Sequence, residues 1–195
     1  NYMPDSSIYW NQKLIKYSNS DWSNIPSIFA EESIKHFPSS GDLLELAAGV
    51  GQDGRFFASE GYSVVQTDLS DTGLMEMSNR LVDGSKITIK RLDMSDPLPF
   101  EDNSFDVVYS HLGIHYFDKK TTQSIFDEIY RVLKPNGVVA LLTNSTNDPE
   151  YKDLPKESFI EEDFYKVDSI DKRYFSVESM ESFTKRFEKL LLDNN

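Results

Sequence analysis

Between residues 42 and 143, short apolar runs alternate with longer amphipathic stretches, and this alternation admits few folds. The runs that read as strands are 42–46 (DLLEL), 63–67 (SVVQT), 86–92 (KITIKRL), 105–110 (FDVVYS) and 137–143 (GVVALLT). Helices are expected between them at 53–60, 71–83 and 121–134. In the last of these, Ile125, Phe126, Ile129, Tyr130 and Leu133 form one apolar stripe, and Lys134-Pro135-Asn136-Gly137 reads as its stop. Short strands separated by helices predict an α/β fold, a doubly wound and mostly parallel sheet with helices on both faces. Ligands of such sheets sit beyond the carboxyl ends of the strands. Chemistry is therefore expected at 45–51, Asp68, Asp93, 110–115 and 143–147.

The first strand runs into LLELAAGVGQDGRFFA, residues 43–58, where Gly49, Gly51 and Gly54 spell G-x-G-x-x-G before a helix. Read that way, the loop is a pyrophosphate turn for a dinucleotide such as NAD, with Asp68 on the ribose. That reading leaves Glu45 without a purpose. A chain of 195 residues also has little room for the second half-domain and substrate domain of a nicotinamide-linked oxidoreductase.

In the register that begins at Glu45, Glu45-Leu46-Ala47-Ala48-Gly49-Val50-Gly51, the sequence resembles the class I S-adenosylmethionine-dependent methyltransferases, whose first motif is an acidic residue followed by G-x-G-x-G. Further matching blocks are VVQTDLS at 64–70, RLDMSDPLPFEDNSFDVVYS at 91–110 and RVLKPNGVVALL at 131–142. The resemblance covers residues 40–145 well and the flanks loosely. It implies a Rossmann-like methyltransferase fold with S-adenosylmethionine as cofactor. Gly54 then belongs to the helix rather than to the ligand turn. Ala47 departs from the pattern, standing where the first glycine is usual, and is expected to keep a negative φ to accommodate its methyl group.

Each part of that cofactor needs its own partner. Glu45 suits the ammonium, as against pairing with a core Lys or Arg. Gly49 and Gly51 let the backbone approach the ligand near a helix N-terminus. Asp68 offers two acceptor oxygens to the ribose diol, while Ser70 is the better cap for the helix that follows. The resemblance further implies that Asp93 accepts from the adenine amino group, its alternative being a turn role. By the same resemblance, Met94 and Leu69 flank the ring, and Ser110 lies near the methionine portion. His115 is the candidate base or acceptor-orienting group, with a structural hydrogen-bonding role as its rival. No metal-ligand pattern is evident.

Methyl transfer from a sulfonium is an in-line displacement that positioning and desolvation can accelerate without a dedicated base. The acceptor therefore has to be inferred from the chain's character. A net charge of −13 argues against nucleic acid, which needs a positive surface, and favours a small-molecule acceptor. The absence of cysteine removes disulfides and thiolate chemistry and fits the cytoplasm. No apolar run approaches the roughly 20 residues of a membrane span.

A single domain is expected over 1–195: a helical cap at 1–40, a cofactor-binding core at 41–143, and a lid-like loop followed by a C-terminal helix or strand at 144–195. Candidate acceptor walls are Tyr9, Trp10, Tyr17 and Trp22 in the cap and Tyr151, Phe159, Phe164, Tyr165, Tyr174 and Phe175 in the lid. Ser176 is placed to cap a helix at 177–185, and 187–193 (FEKLLLD) reads as a sixth strand or as an extension of that helix. Nothing after it supplies the last strand of the family's sheet, so a monomer or a weak homodimer covering the open edge is expected. A catalytically silent binder of the cofactor is the rival function.

Overall fold

The computed structural model describes residues 6–193, so residues 1–5 of the expected cap and residues 194–195 lie outside the described residues. In chain order the elements are α1 (Ser6–Ser18), α2 (Ile28–Ser33), β1 (Asp42–Glu45), α3 (Gln52–Ser59), β2 (Ser63–Asp68), α4 (Asp71–Asn79), β3 (Ile87–Arg91), β4 (Phe105–His111), α5 (Lys119–Val132) and β5 (Leu133–Leu142). They continue with α6 (Pro149–Lys152), β6 (Phe159–Glu161), β7 (Phe164–Val167), β8 (Ile170–Arg173) and α7 (Val177–Phe183).

β1 to β5 form one sheet in the order β3-β2-β1-β4-β5, and every pairing in it is parallel. Strand order reverses between β1 and β4, so the crevice beyond their carboxyl ends is the topological switch point. The two-residue period of the strands divides the core. Leu43, Val64, Val107 and Tyr109 meet Ala30, Phe57 and Tyr62 on one face. On the other, Leu44, Leu46 and Val108 meet Ile125, Phe126 and Ile129 of the predicted α5 stripe. Side-chain caps fix the helix starts: Ser27 accepts from Ala30 N, Ser70 from Gly73 N and Asp118 from Thr121 N, while Ser176 forms a capping box with Ser179.

Several boundaries differ from expectation. α4 stops at Asn79, and β4 continues to His111. The Lys134-Pro135-Asn136-Gly137 turn falls inside β5 rather than ahead of it: Leu133 pairs with Phe105, the register shifts, and pairing resumes at Val138 opposite Val107. Segment 187–193 is neither strand nor helix.

The largest difference is the segment 144–175, expected as a loop, which holds α6 and an antiparallel meander in the order β6-β7-β8. Its strands have three or four residues, too few to show a period. Asp163 (φ 57) and Asp168 (φ 55) turn the chain between them, a left-handed conformation that aspartate tolerates. The stretch between β3 and β4 has no helix. Arg131 on α5 holds it by donating to the Leu98 and Phe100 carbonyls, and Glu128 accepts from Leu98 N.

Candidate functional site

The glycine turn leaves β1 at the switch point and is stitched to both neighbouring strands. Leu46 N donates to the Tyr109 carbonyl (2.9 Å) and Ala48 N to the Thr67 carbonyl (2.8 Å). Gly49 N then donates to Asp68 Oδ2 (2.8 Å), so the turn is fastened to the end of β2. Ala47 (φ 54), Gly49 (φ 61) and Gly51 (φ 86) all lie in the left-handed region. This corrects the expectation for Ala47, whose φ is positive at a cost of about 1–2 kcal/mol.

Room for its methyl group comes from across the crevice. A Cβ on Gly113 would stand 2.4 Å from Ala47 Cβ and 2.7 Å from Ser110 Oγ, so the missing glycine at 47 is matched by a glycine at 113. Gly113→Ala is expected to destabilise the fold by roughly 1–3 kcal/mol through overpacking, and adding Ala47→Gly to restore part of it. Denaturant unfolding of the two single variants and the double variant checks this; strictly additive effects would rule the pairing out.

Glu45 and Gln66 are register partners on β1 and β2. Gln66 Nε2 donates to Glu45 Oε2 (3.0 Å) and to the Gly51 carbonyl (2.9 Å). Burial, reinforced by the nearby charge of Asp53, pushes the Glu45 carboxyl up to about 8. Gly54 packs over this pair: an added Cβ there would lie 2.2 Å from both Gln66 Nε2 and Glu45 Oε2. The third glycine of the literal motif therefore serves close helix-to-sheet packing. Asp68 is also buried, and burial raises its pKa although backbone N–H groups of Ser70, Gly49 and Leu69 favour the charged form.

Asp93 follows β3 half-exposed, its Oδ1 accepting from Ser95 N (2.9 Å) and Ser95 Oγ (2.6 Å). Met94 is buried beside Leu92 and Leu98, and Leu69 is half-buried. Ser110, expected as the last residue of the fourth strand, lies one residue before its end and is fully buried, its hydroxyl donating to the Leu46 carbonyl (2.9 Å). That bond makes it a support of the turn.

Sequence reading missed Asp53. In the first turn of α3, with 3% of its surface exposed, it accepts from Ser27 N (2.7 Å), Ser27 Oγ (2.7 Å) and Tyr109 Oη (2.6 Å). These bonds fasten the start of α2 to the helix that follows the glycine turn. Arg55 and Arg80 extend the attachment, both donating to the Ser23 carbonyl. Asn11 of α1 accepts from Ser70 Oγ and Thr72 N at the start of α4. The only sequence cue was an acid in the first turn of a helix, where the helix dipole favours it.

On the acceptor side, His115 is 2% exposed, and burial, with Lys172 and His111 adding to it, pushes its imidazole down to about 3. A ring so reluctant to take a proton is a poor general base at neutral pH. Its Nδ1 instead accepts from Asn144 N (3.4 Å). The cap and lid aromatics divide. Trp10 meets Tyr116 edge-on at 4.8 Å, bringing α1 against the loop after β4, whereas Tyr151, Tyr165 and Tyr174 pack on one another within segment 144–175.

The buried groups suit a cationic nucleoside carrying an amino acid. Asp53, Asp68 and the half-buried Arg55 all act on the buried Glu45 carboxyl, and Gln66 Oε1 is a buried acceptor with no hydrogen-bond partner among the described residues. Among the described residues no group of three His, Cys, Asp or Glu is placed to hold a metal ion, and no helix is long and apolar enough to cross a membrane.

Residues 44–141 match a family model described as a methyltransferase domain. Demethylmenaquinone methyltransferase of Clavibacter sepedonicus is 35% identical over 111 residues, covering 56% of this chain and 44% of that protein. Phosphoethanolamine N-methyltransferase 2 of Caenorhabditis elegans is 29% identical over 178 residues, covering 84% of this chain and 40% of that one. The chain thus spans less than half the length of these curated relatives. The crystal structure of a SAM-dependent methyltransferase from Methanosarcina mazei superposes with a TM-score of 0.69 at 22% identity, covering 80% of this chain and 82% of that one. The chain belongs to the methyltransferase domain family and has the fold of its class I, S-adenosylmethionine-dependent members.

Proposed function

We propose that the chain binds S-adenosylmethionine beyond the carboxyl ends of β1, β2 and β3 and catalyses methyl transfer to a small-molecule acceptor by in-line displacement. The observation that carries the reading is the convergence of Glu45 and Asp68 on the glycine turn, with Gly49 N bonded to Asp68 Oδ2. When bound, the cofactor supplies a methyl group on a positively charged sulfur. Glu45 meets its ammonium, and Gly49 and Gly51 give the turn its close approach. Asp68 takes the ribose hydroxyls, its Oδ2 accepting from Gly49 N and its Oδ1 from Ser70 N on the turn side, since a carboxylate oxygen can accept more than one hydrogen bond. Asp93 accepts from the adenine amino group, with Leu69 and Met94 on either side of the ring.

A small-molecule acceptor is supported by the net charge of −13 and by the names of the relatives, demethylmenaquinone methyltransferase and phosphoethanolamine N-methyltransferase. The cysteine-free composition fits a cytoplasmic setting. β5 stands at the edge of the sheet, which fits a monomer or a weak homodimer.

Calorimetric titration with S-adenosylhomocysteine and with NAD tests the cofactor, and a screen of amine, phenol and quinone acceptors for S-adenosylhomocysteine release tests the reaction. Binding of the nucleoside without NAD, and turnover on at least one acceptor, are expected. Tight NAD binding with no response to the nucleoside would overturn the cofactor reading, whereas binding without turnover on any acceptor would leave a silent binder.

A further inference from the structure

Resting on the cofactor reading above, we infer that Gln66 is a positioning residue for the amino-acid end of the cofactor: its amide clamps the Glu45 carboxylate beneath the glycine turn, ready for the ammonium. Gln66 is fully buried, and a primary amide in such a place normally has all its polar atoms paired. Here only the nitrogen is paired. It donates at once to Glu45 Oε2 (3.0 Å) and to the Gly51 carbonyl (2.9 Å), while Oε1 has no partner among the described residues. The Gly51 carbonyl fixes which end of the amide faces Glu45, because a carbonyl can only accept. Glu45 is therefore always presented with a donor, and a donor favours the carboxylate over the neutral acid.

The packing leaves the clamp no freedom. A Cβ at Gly51 would lie 2.9 Å from Gln66 Nε2, and one at Gly54 would lie 2.2 Å from both Nε2 and Glu45 Oε2. The turn that approaches the ligand and the carboxylate that meets it are thus fixed to one another through a single side chain. Against the clamp stand burial of Glu45 and the charges of Asp53 on α3 and Asp68 on β2, which oppose ionisation; Arg55 on α3 acts with Gln66 to favour it. The ionised state of Glu45 influences the buried Tyr109 hydroxyl of β4 as well. Burial favours the neutral acid at Glu45, so meeting an arriving ammonium carries the cost of holding that carboxyl ionised. A side chain that lowers that cost strengthens binding of the amino-acid end and leaves the nucleoside end untouched.

The test compares S-adenosylhomocysteine with 5′-methylthioadenosine, which has the nucleoside but lacks the amino acid. Dissociation constants are measured from pH 6 to 9 for the wild type, Gln66→Met, Glu45→Gln and the double variant. For the wild type, S-adenosylhomocysteine binding should tighten as pH rises toward about 8, while 5′-methylthioadenosine stays flat. Q66M should weaken S-adenosylhomocysteine by roughly tenfold or more and move its pH midpoint upward, with 5′-methylthioadenosine changed less than about twofold. With Glu45 already replaced, Q66M should add almost nothing.

Equal weakening of both nucleosides by Q66M, or no change in either, would overturn the inference while leaving the cofactor assignment standing. Failure of the wild type to bind either nucleoside would overturn the cofactor assignment and the inference with it. Should Q66M not fold, Gln66→Asn, which withdraws the donor by one methylene but keeps an amide in the layer, carries the same expectation.

Discussion

Replacing Asp68 by alanine is expected to weaken S-adenosylhomocysteine binding by roughly 10²–10³-fold, the loss of two hydrogen bonds to a charged group at about 1.5–3 kcal/mol each, less some compensation by water. Two effects combine. The ribose diol loses both of its acceptors, and the glycine turn loses the bond from Gly49 N to Asp68 Oδ2 that holds it against β2. The Ser70 N–H also loses Oδ1, at the start of α4. Because the Ser70 cap itself remains, the variant should fold, and circular dichroism confirms that before affinity is read. Asp68→Asn keeps the shape and one acceptor and should fall in between. An alanine variant whose dissociation constant stays within threefold of the wild type would refute the ribose role.

Asp53→Ala should produce the largest loss of stability, roughly 3–5 kcal/mol, because it strips a buried charge from three donors at once. Ser27 N, Ser27 Oγ and Tyr109 Oη all end on its carboxylate, at 2.7, 2.7 and 2.6 Å. The hydroxyls keep a weaker contact with one another, 3.3 Å apart, but the backbone N–H of Ser27 is left with no acceptor of comparable strength. At about 2–4 °C per kcal/mol for a chain of this size, the melting temperature should fall by about 10 °C. The damage should begin locally, at the joint between the N-terminal helices and the sheet. Hydrogen exchange in α2 should therefore rise before exchange in α5, which the cluster does not touch. A melting temperature within 2 °C of the wild type would show that the cluster does not hold the two together. Asp53→Asn keeps one acceptor oxygen and should recover part of the loss.

Tyr109 shows why such a residue escapes a reading of the chain in one dimension. In the run FDVVYS it counts as one more apolar position of a strand, and it does fill the core against Phe29 and Phe57. Only the fold shows its hydroxyl reaching Asp53, 56 positions earlier. Ser110 is the converse. It closes the apolar run and, by the resemblance, is expected near the methionine portion of the cofactor, but the strand continues one residue further and its hydroxyl is bonded to the Leu46 carbonyl inside the sheet.

The sequence by itself determined the five parallel strands, the glycine turn at the end of the first, and the acids at 45, 68 and 93, because periodicity and turn chemistry are local and survive without the fold. Caps were legible for the same reason: Ser70 and Ser176 act within three residues of themselves. The tertiary structure alone decided what those residues face. The register of β1 against β2 set Glu45 beside Gln66, and the return of the chain after β4 set Gly113 against Ala47. Neither neighbour is marked by any pattern around it. A left-handed alanine is tolerated, and a buried carboxylate can be poised for a cation, through partners that the chain brings together only once the sheet has formed.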